Sequence, residues 1–283
     1  MKTITALKND LDFYRGLSSL IEALKNIAVS QYRALEHKIK SYEAFMKTVE
    51  EYFDFIDFSQ ATHPFLVASN KPQAIIVVTS DSGLLGGLNM QVVNAAVTDL
   101  EKHPGELIVV GDRGKAYALE SKVPFVAFPG IRDEDRQEQA FQLRDYVFNR
   151  VLSGEFGSLK VVYPHPVSFT VQRVEKISFL PFVPPARKDQ EETHVDSREI
   201  ILESSLSDIV EYLAYLWMGQ KLYEIFGLSR LAEFAARYVH LEGSLQRLKE
   251  TDGKLKLQYF RVRHEIIDRN MRELFSARLL FAQ

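Results

Sequence analysis

The chain has 283 residues, 46% of them hydrophobic and 26% charged, with a net charge of −3 and no cysteine. That composition suits a globular protein of one or two domains and excludes disulfides, thiolate catalysis and cysteine-ligated metals, as expected in a reducing compartment. The small net charge argues against a nucleic-acid surface; the mixed-charge start from Met1 to Asp12 argues against a signal peptide, and no uncharged run approaches the roughly 18 residues of a membrane helix.

The first 58 or so residues read as one long helix. Leu17, Leu20, Leu24, Ile27, Gln31, Leu35, Tyr42, Met46, Val49, Phe53 and Ile56 recur in steps of three, four or seven, a spacing that keeps one stripe on one side of a helix. Between Leu17 and Asp57 there is no glycine or proline to break it. At 1.5 Å per residue, about 50 residues span roughly 75 Å, whereas an average soluble helix has about 11–12 residues. Such an element needs an extended partner.

The middle of the chain has a different grammar. Gln73 to Ser80 is a short β-branched apolar run, followed by the turn Asp81 to Asn89 and a helical pattern from Met90 to Leu100. The sequence repeats this order at Gly105 to Val110, the turn Gly111 to Gly114 and the helix Lys115 to Glu120, with a further strand at Pro124 to Phe128. Apolar strands without alternation are expected in a sheet covered on both faces, hence parallel βαβ units and a Rossmann-like domain. A helix over Glu138 to Leu152, strands at Leu159 to Tyr163 and Val174 to Phe182, and an acidic, proline-containing linker at Pro184 to Arg198 complete it.

Gly83, Gly86 and Gly87 stand where amides at a helix start could hold an anion. Their spacing meets neither the dinucleotide nor the P-loop pattern, and tight turn geometry is the simpler account. Asp81 and Asp112 each follow a strand and could act as a base or metal ligand, or simply cap and stabilise a turn. The seven histidines form no zinc-binding pattern, and no metal or cofactor is expected.

From Ser205 to Phe281 helical periodicity is interrupted only by Gly219, Gly227, Gly243 and Gly253. Leu222, Ile225, Ser229, Ala232, Ala236 and Val239 form a near-heptad stripe whose small members would let another helix approach closely. The stripe re-phases through Leu241, Leu245, Leu248, Leu255, Tyr259, Val262 and Ile266. Residues 246–273 hold eight basic and five acidic side chains, and the end from Ser276 to Gln283 is apolar where solvated termini are usually polar. The fold expected is therefore α/β: an antiparallel coiled coil of long N- and C-terminal helices, 1–68 and 195–283, flanking an inserted Rossmann-like α/β domain, 69–190.

Four separated motifs resemble the gamma subunit of F-type ATP synthases. They are Leu20-Ile21-x-Ala23-Leu24-x-x-Ile27-Ala28-x-Ser30 with Arg33 following, the turn Thr79 to Asn89, Glu233-x-x-Ala236-Arg237, and Leu255-x-Leu257-x-Tyr259-x-x-x-Arg263. The resemblance implies a non-catalytic central rotor that couples ion-driven rotation to ATP synthesis or hydrolysis at beta-subunit sites. It implies alpha, beta and epsilon subunits and the membrane c-ring as partners, with the protein peripheral on the cytoplasmic face of a bacterial or archaeal cell membrane and without a span of its own. Leu24, Arg33, Arg237 and Arg263 are implied to act in coupling. His264, Asp268 and Asn270 stand where the family has Gln, Thr and Glu, and Ser82 and Leu85 replace the turn's Arg and Cys, as in a divergent branch or an alternate ATPase with its own partner set.

Two other readings stay open from the residues alone. One makes the middle domain a small-molecule enzyme, using Asp81, Asp112 and the glycine turn, dimerised by its helices. The other is a coiled-coil scaffold.

Overall fold

The computed structural model describes residues 3–53, 63–67, 71–182 and 204–280, and of residues 40–53, 279 and 280 the backbone alone. Tyr42, Met46, Val49 and Phe53 as side chains, Ile56, the linker Pro184 to Arg198 and the last three residues lie outside the described set. Among the described residues, five helices and five strands follow in the order α1 (Ile4–Phe53), β1 (Gln73–Val78), α2 (Leu88–Lys102), β2 (Gly105–Val110), α3 (Asp112–Ser121), β3 (Phe125–Phe128), α4 (Arg136–Leu152), β4 (Ser158–Pro166), β5 (Gln172–Leu180) and α5 (Leu206–Leu280). They form two compact units, Met1–Ala28 with Tyr238–Gln283, and Val29–Arg237.

In the larger unit the sheet order is β3-β2-β1-β4-β5. Strand β1 runs parallel to both β2 and β4, β2 runs parallel to β3, and β5 closes one edge antiparallel to β4. The order 3-2-1-4 is that of a doubly wound domain, and the antiparallel edge is an addition that the periodicity of the early strands did not announce. All six residues of β1 are buried, because alternate side chains serve two cores. Ala74, Ile76 and Val78 pack with α4 residues Leu143 and Val147 and with Met218, Leu222 and Phe226 of α5. Ile75 and Val77 pack with Val92, Val93 and Ala96 of α2 and Ala118 of α3. A strand buried on both faces has no polar side to alternate with.

The first third of α5 is thus a layer of the α/β domain. This corrects the expected use of its apolar stripe: Leu222 and Ile225 lie in the sheet's core, and Ala236 packs on Leu85 and Leu88 at the start of α2. Within the same unit the side of α5 that meets α1 is another one. Leu231, Phe234 and Ala235 cluster with Tyr32, Leu35 and Ile39, and a Cβ on Gly227 would sit 3.3 Å from Ile39, so the two helices approach closely there.

In the smaller unit, α1 and α5 pair again, with Lys25 donating to Glu242 at 2.7 Å and lying over the Tyr238 ring. Each unit therefore has its own contact between the two helices, Ile39 with Gly227 in the larger and Lys25 with Glu242 in the smaller. Among the residues of α1 whose side chains are described, the buried ones are Leu7, Leu11, Ala28, Tyr32, Leu35 and Ile39, with Tyr14, Ile21 and Leu24 half-buried between them. Leu20 and Ile27 of the expected stripe are instead more than half exposed, and Gln31 is exposed. Helix α1 carries apolar residues on two sides, and spacing alone cannot say which of them meets α5.

Candidate functional site

A doubly wound sheet binds its ligands beyond the carboxyl ends of its strands, where the strand order reverses. Here that point lies between β1 and β4, and the turn from Thr79 to Asn89 leads out of it. Gly86 and Gly87 have φ of 61° and 91°, left-handed values that a side chain would strain, so both are required by the turn itself. Asn89 stitches the turn, its carbonyl accepting from the Ser80 amide at 3.2 Å and its amide donating to Ser80 Oγ at 2.8 Å. Asp81 accepts from the Asp112 amide at 2.9 Å and so ties this turn to the start of α3. Among the described residues no three His, Asp or Glu side chains are grouped to hold a metal ion.

What lies across the crevice is the protein's own helix. Ser229, Arg230 and Glu233 of α5 face Thr79, Ser80, Leu85, Leu88, Asn89, Ile131 and Pro164, and the space left among them is about 10 Å³. A small-molecule site needs on the order of 300–1,000 Å³. The place where this fold would hold a nucleotide is filled, and the enzyme reading built on the glycine turn loses its cavity.

Charged groups fasten α5 over the strand ends. Glu233 is 4% exposed. Its Oε1 accepts from Arg237 Nη2 and from Ser82 Oγ, the latter at 3.0 Å, and its Oε2 accepts from Arg230 Nη1 at 2.6 Å. Arg237 Nη2 also donates to Ser82 Oγ. Arg230 reaches the other way, donating through Nε and Nη2 to the two carboxylate oxygens of Asp133 at 3.1 and 3.2 Å. Burial works against the Arg230 charge, but bonding to Asp133 and the nearby Glu233 outweigh it and raise its pKa. Asp133 sits in the loop after β3 and Ser82 in the loop after β1, so α5 is held from both sides of the crevice. This brings two motifs separated in the chain, Glu233 to Arg237 and Thr79 to Asn89, into direct contact. Sequence reasoning missed Arg230 and Asp133; the available signal was the spacing of Arg230, Glu233 and Arg237, which stacks three charges on one side of an otherwise mostly apolar stretch of helix.

The remaining expected site residues lie elsewhere. Leu24 is half-buried on α1, and Arg33 is exposed at the rim of a groove formed with Tyr32, Glu36, His165 and Phe169. Arg263, His264, Asp268 and Asn270 are all exposed on α5, in a stretch where every described residue from 263 to 278 is exposed. That stretch and its approach also present Leu257 at 72%, Leu274 at 67% and Phe275 at 59% exposure, with Phe260, Ile267 and Met271 close to half.

The fold is thus a doubly wound domain whose ligand crevice is closed by its own helix, and that helix runs on into a stretch whose described residues are exposed. The family model described as ATP synthase matches residues 3–278. The ATP synthase gamma chain of Desulfitobacterium hafniense is 26% identical over 267 residues, covering 92% of each chain, and that of Symbiobacterium thermophilum is 24% identical over 277 residues, covering 95% of each. A rotor chain of the Euglena gracilis mitochondrial ATP synthase has the same fold, with a TM-score of 0.66 at 16% identity over 93% of this chain and 98% of its own. The chain belongs to the ATP synthase gamma-chain family, as the central rotor subunit and a non-catalytic part of that complex.

Proposed function

We propose that this rotor couples ion-driven rotation to ATP synthesis or hydrolysis through the exposed stretch of α5, which turns against alpha and beta subunits. The observation that carries this is the run from Leu257 to Phe275: a helix so rich in exposed Leu, Ile, Met and Phe is costly in water and fits inside a surrounding partner surface. Arg263, His264, Asp268 and Asn270 on that stretch, with Leu24, Arg33 and Arg237, are the side chains assigned to coupling. As it turns, an asymmetric surface biases each catalytic subunit among states of different nucleotide affinity through differential contact.

In chain order, 1–68 and 195–283 supply the shaft and 69–190 the α/β domain, the first third of α5 serving both. The α/β domain contacts the epsilon subunit and the c-ring. The rotor is peripheral on the cytoplasmic face of the cell membrane, in keeping with the finding that no described helix is long and apolar enough to cross one. Co-purification with alpha and beta subunits from the native host, with ATPase activity lost when residues 264–283 are removed, is the expected result. A chain that does not co-purify with them overturns the proposal.

A further inference from the structure

We propose that Ser82 is a positioning residue for Arg237, and that the chain Asp133, Arg230, Glu233, Arg237, Ser82 is the joint through which α5 and the α/β domain turn as one body. The inference rests on the rotor reading. A rotor must carry torque between a helix and the domain it packs on, and beside the apolar core that α5 shares with the sheet, directional contacts oppose sliding of one past the other. Charge-assisted hydrogen bonds are directional and resist it well.

The geometry singles out Ser82. Glu233 is nearly inaccessible, and a carboxylate buried there needs its oxygens satisfied. Arg230 takes Oε2, leaving Oε1 to Arg237 and Ser82. The hydroxyl of Ser82 donates to Oε1 and accepts from Arg237 Nη2, closing a three-membered ring of contacts that fixes the guanidinium in one orientation. A side chain that only donates, such as the arginine the resemblance places here, cannot play both parts, because Arg237 also only donates. A hydroxyl can do both. Ser82 and Arg237 form a matched pair: where the turn has lost a positive charge, a small group that both donates and accepts holds the remaining one.

The test begins with arginine side-chain NMR on the isolated full-length chain. Ser82→Ala should release the Arg237 signal toward its solvent-exposed position, while Ser82→Thr, which keeps the hydroxyl, should restore it. An Arg237 signal indifferent to Ser82→Ala overturns the assignment, whether or not the rotor reading holds. In the assembled complex in vesicles, ions moved per ATP hydrolysed should fall roughly three- to tenfold for Ser82→Ala, with hydrolysis retained and Ser82→Thr close to the parent. In an Arg237→Gln background, Ser82→Ala should cause no further loss. An equal loss in both backgrounds, or none in the parent, refutes a positioning role. Failure of the parent chain to assemble at all would instead count against the rotor reading.

Discussion

Asp99, 16% exposed, faces Lys176 at 2.8 Å and Lys160 at 3.8 Å, tying α2 to β5 and β4. Burial alone would raise its pKa, but the bond to Lys176 and the neighbouring lysines bring it below the ordinary value. A lowered folded pKa stabilises the fold above the unfolded value of about 3.9, and the contribution is lost as pH falls through the folded value. Urea unfolding of Asp99→Asn should therefore show a loss on the order of 1 kcal/mol at neutral pH that shrinks on acidification. Asp81→Ala should cost about 1 kcal/mol through the lost bond to the Asp112 amide, with no phosphate binding by the parent for it to abolish. The turn glycines and Asp81 were legible as turn chemistry because local geometry dictates them. The partnership of Glu233 with Ser82 was not, since it joins residues 151 apart and nothing local to either implies the other.

Helix α1 sets the limits of reading by element. Its length was plain from unbroken periodicity, and the strands from β1 to β4 were found within a few residues of their ends. Which side of α1 faces inward was not plain, because Leu20 and Ile27 are as apolar as Leu7 and Leu11. Leu11→Asp should therefore lower the thermal midpoint of the isolated chain, losing about 2–5 kcal/mol of packing. Leu20→Asp should leave the midpoint nearly unchanged and weaken assembly with alpha and beta subunits instead. Equal effects on the midpoint would contradict the two-sided description. The small residues of α5 mislead in the same way: Ser229 and Ala236 admit the α/β domain, and a glycine, Gly227, admits α1.

At the scale of the whole molecule, stability and activity should separate. The described residues from 264 to 278 are all exposed, so removal of 264–283 should leave the unfolding of the isolated chain unchanged within about 0.5 kcal/mol, measured by circular dichroism, while the complex loses ATPase activity. Ile108→Ala, fully buried on β2, should do the reverse to the isolated chain, costing about 2–5 kcal/mol.

The bond between Lys25 and Glu242 spans 217 positions of the chain. At a synthesis rate of about 5–20 residues per second, the first helix waits roughly 10 to 40 seconds on the ribosome before its partner exists. Through most of that interval Tyr32, Leu35 and Ile39 lack Leu231, Phe234 and Ala235, the α5 residues they cluster with. The nascent first helix is thus a natural client for a holding chaperone, and its packing against α5 is completed long after the helix itself is made.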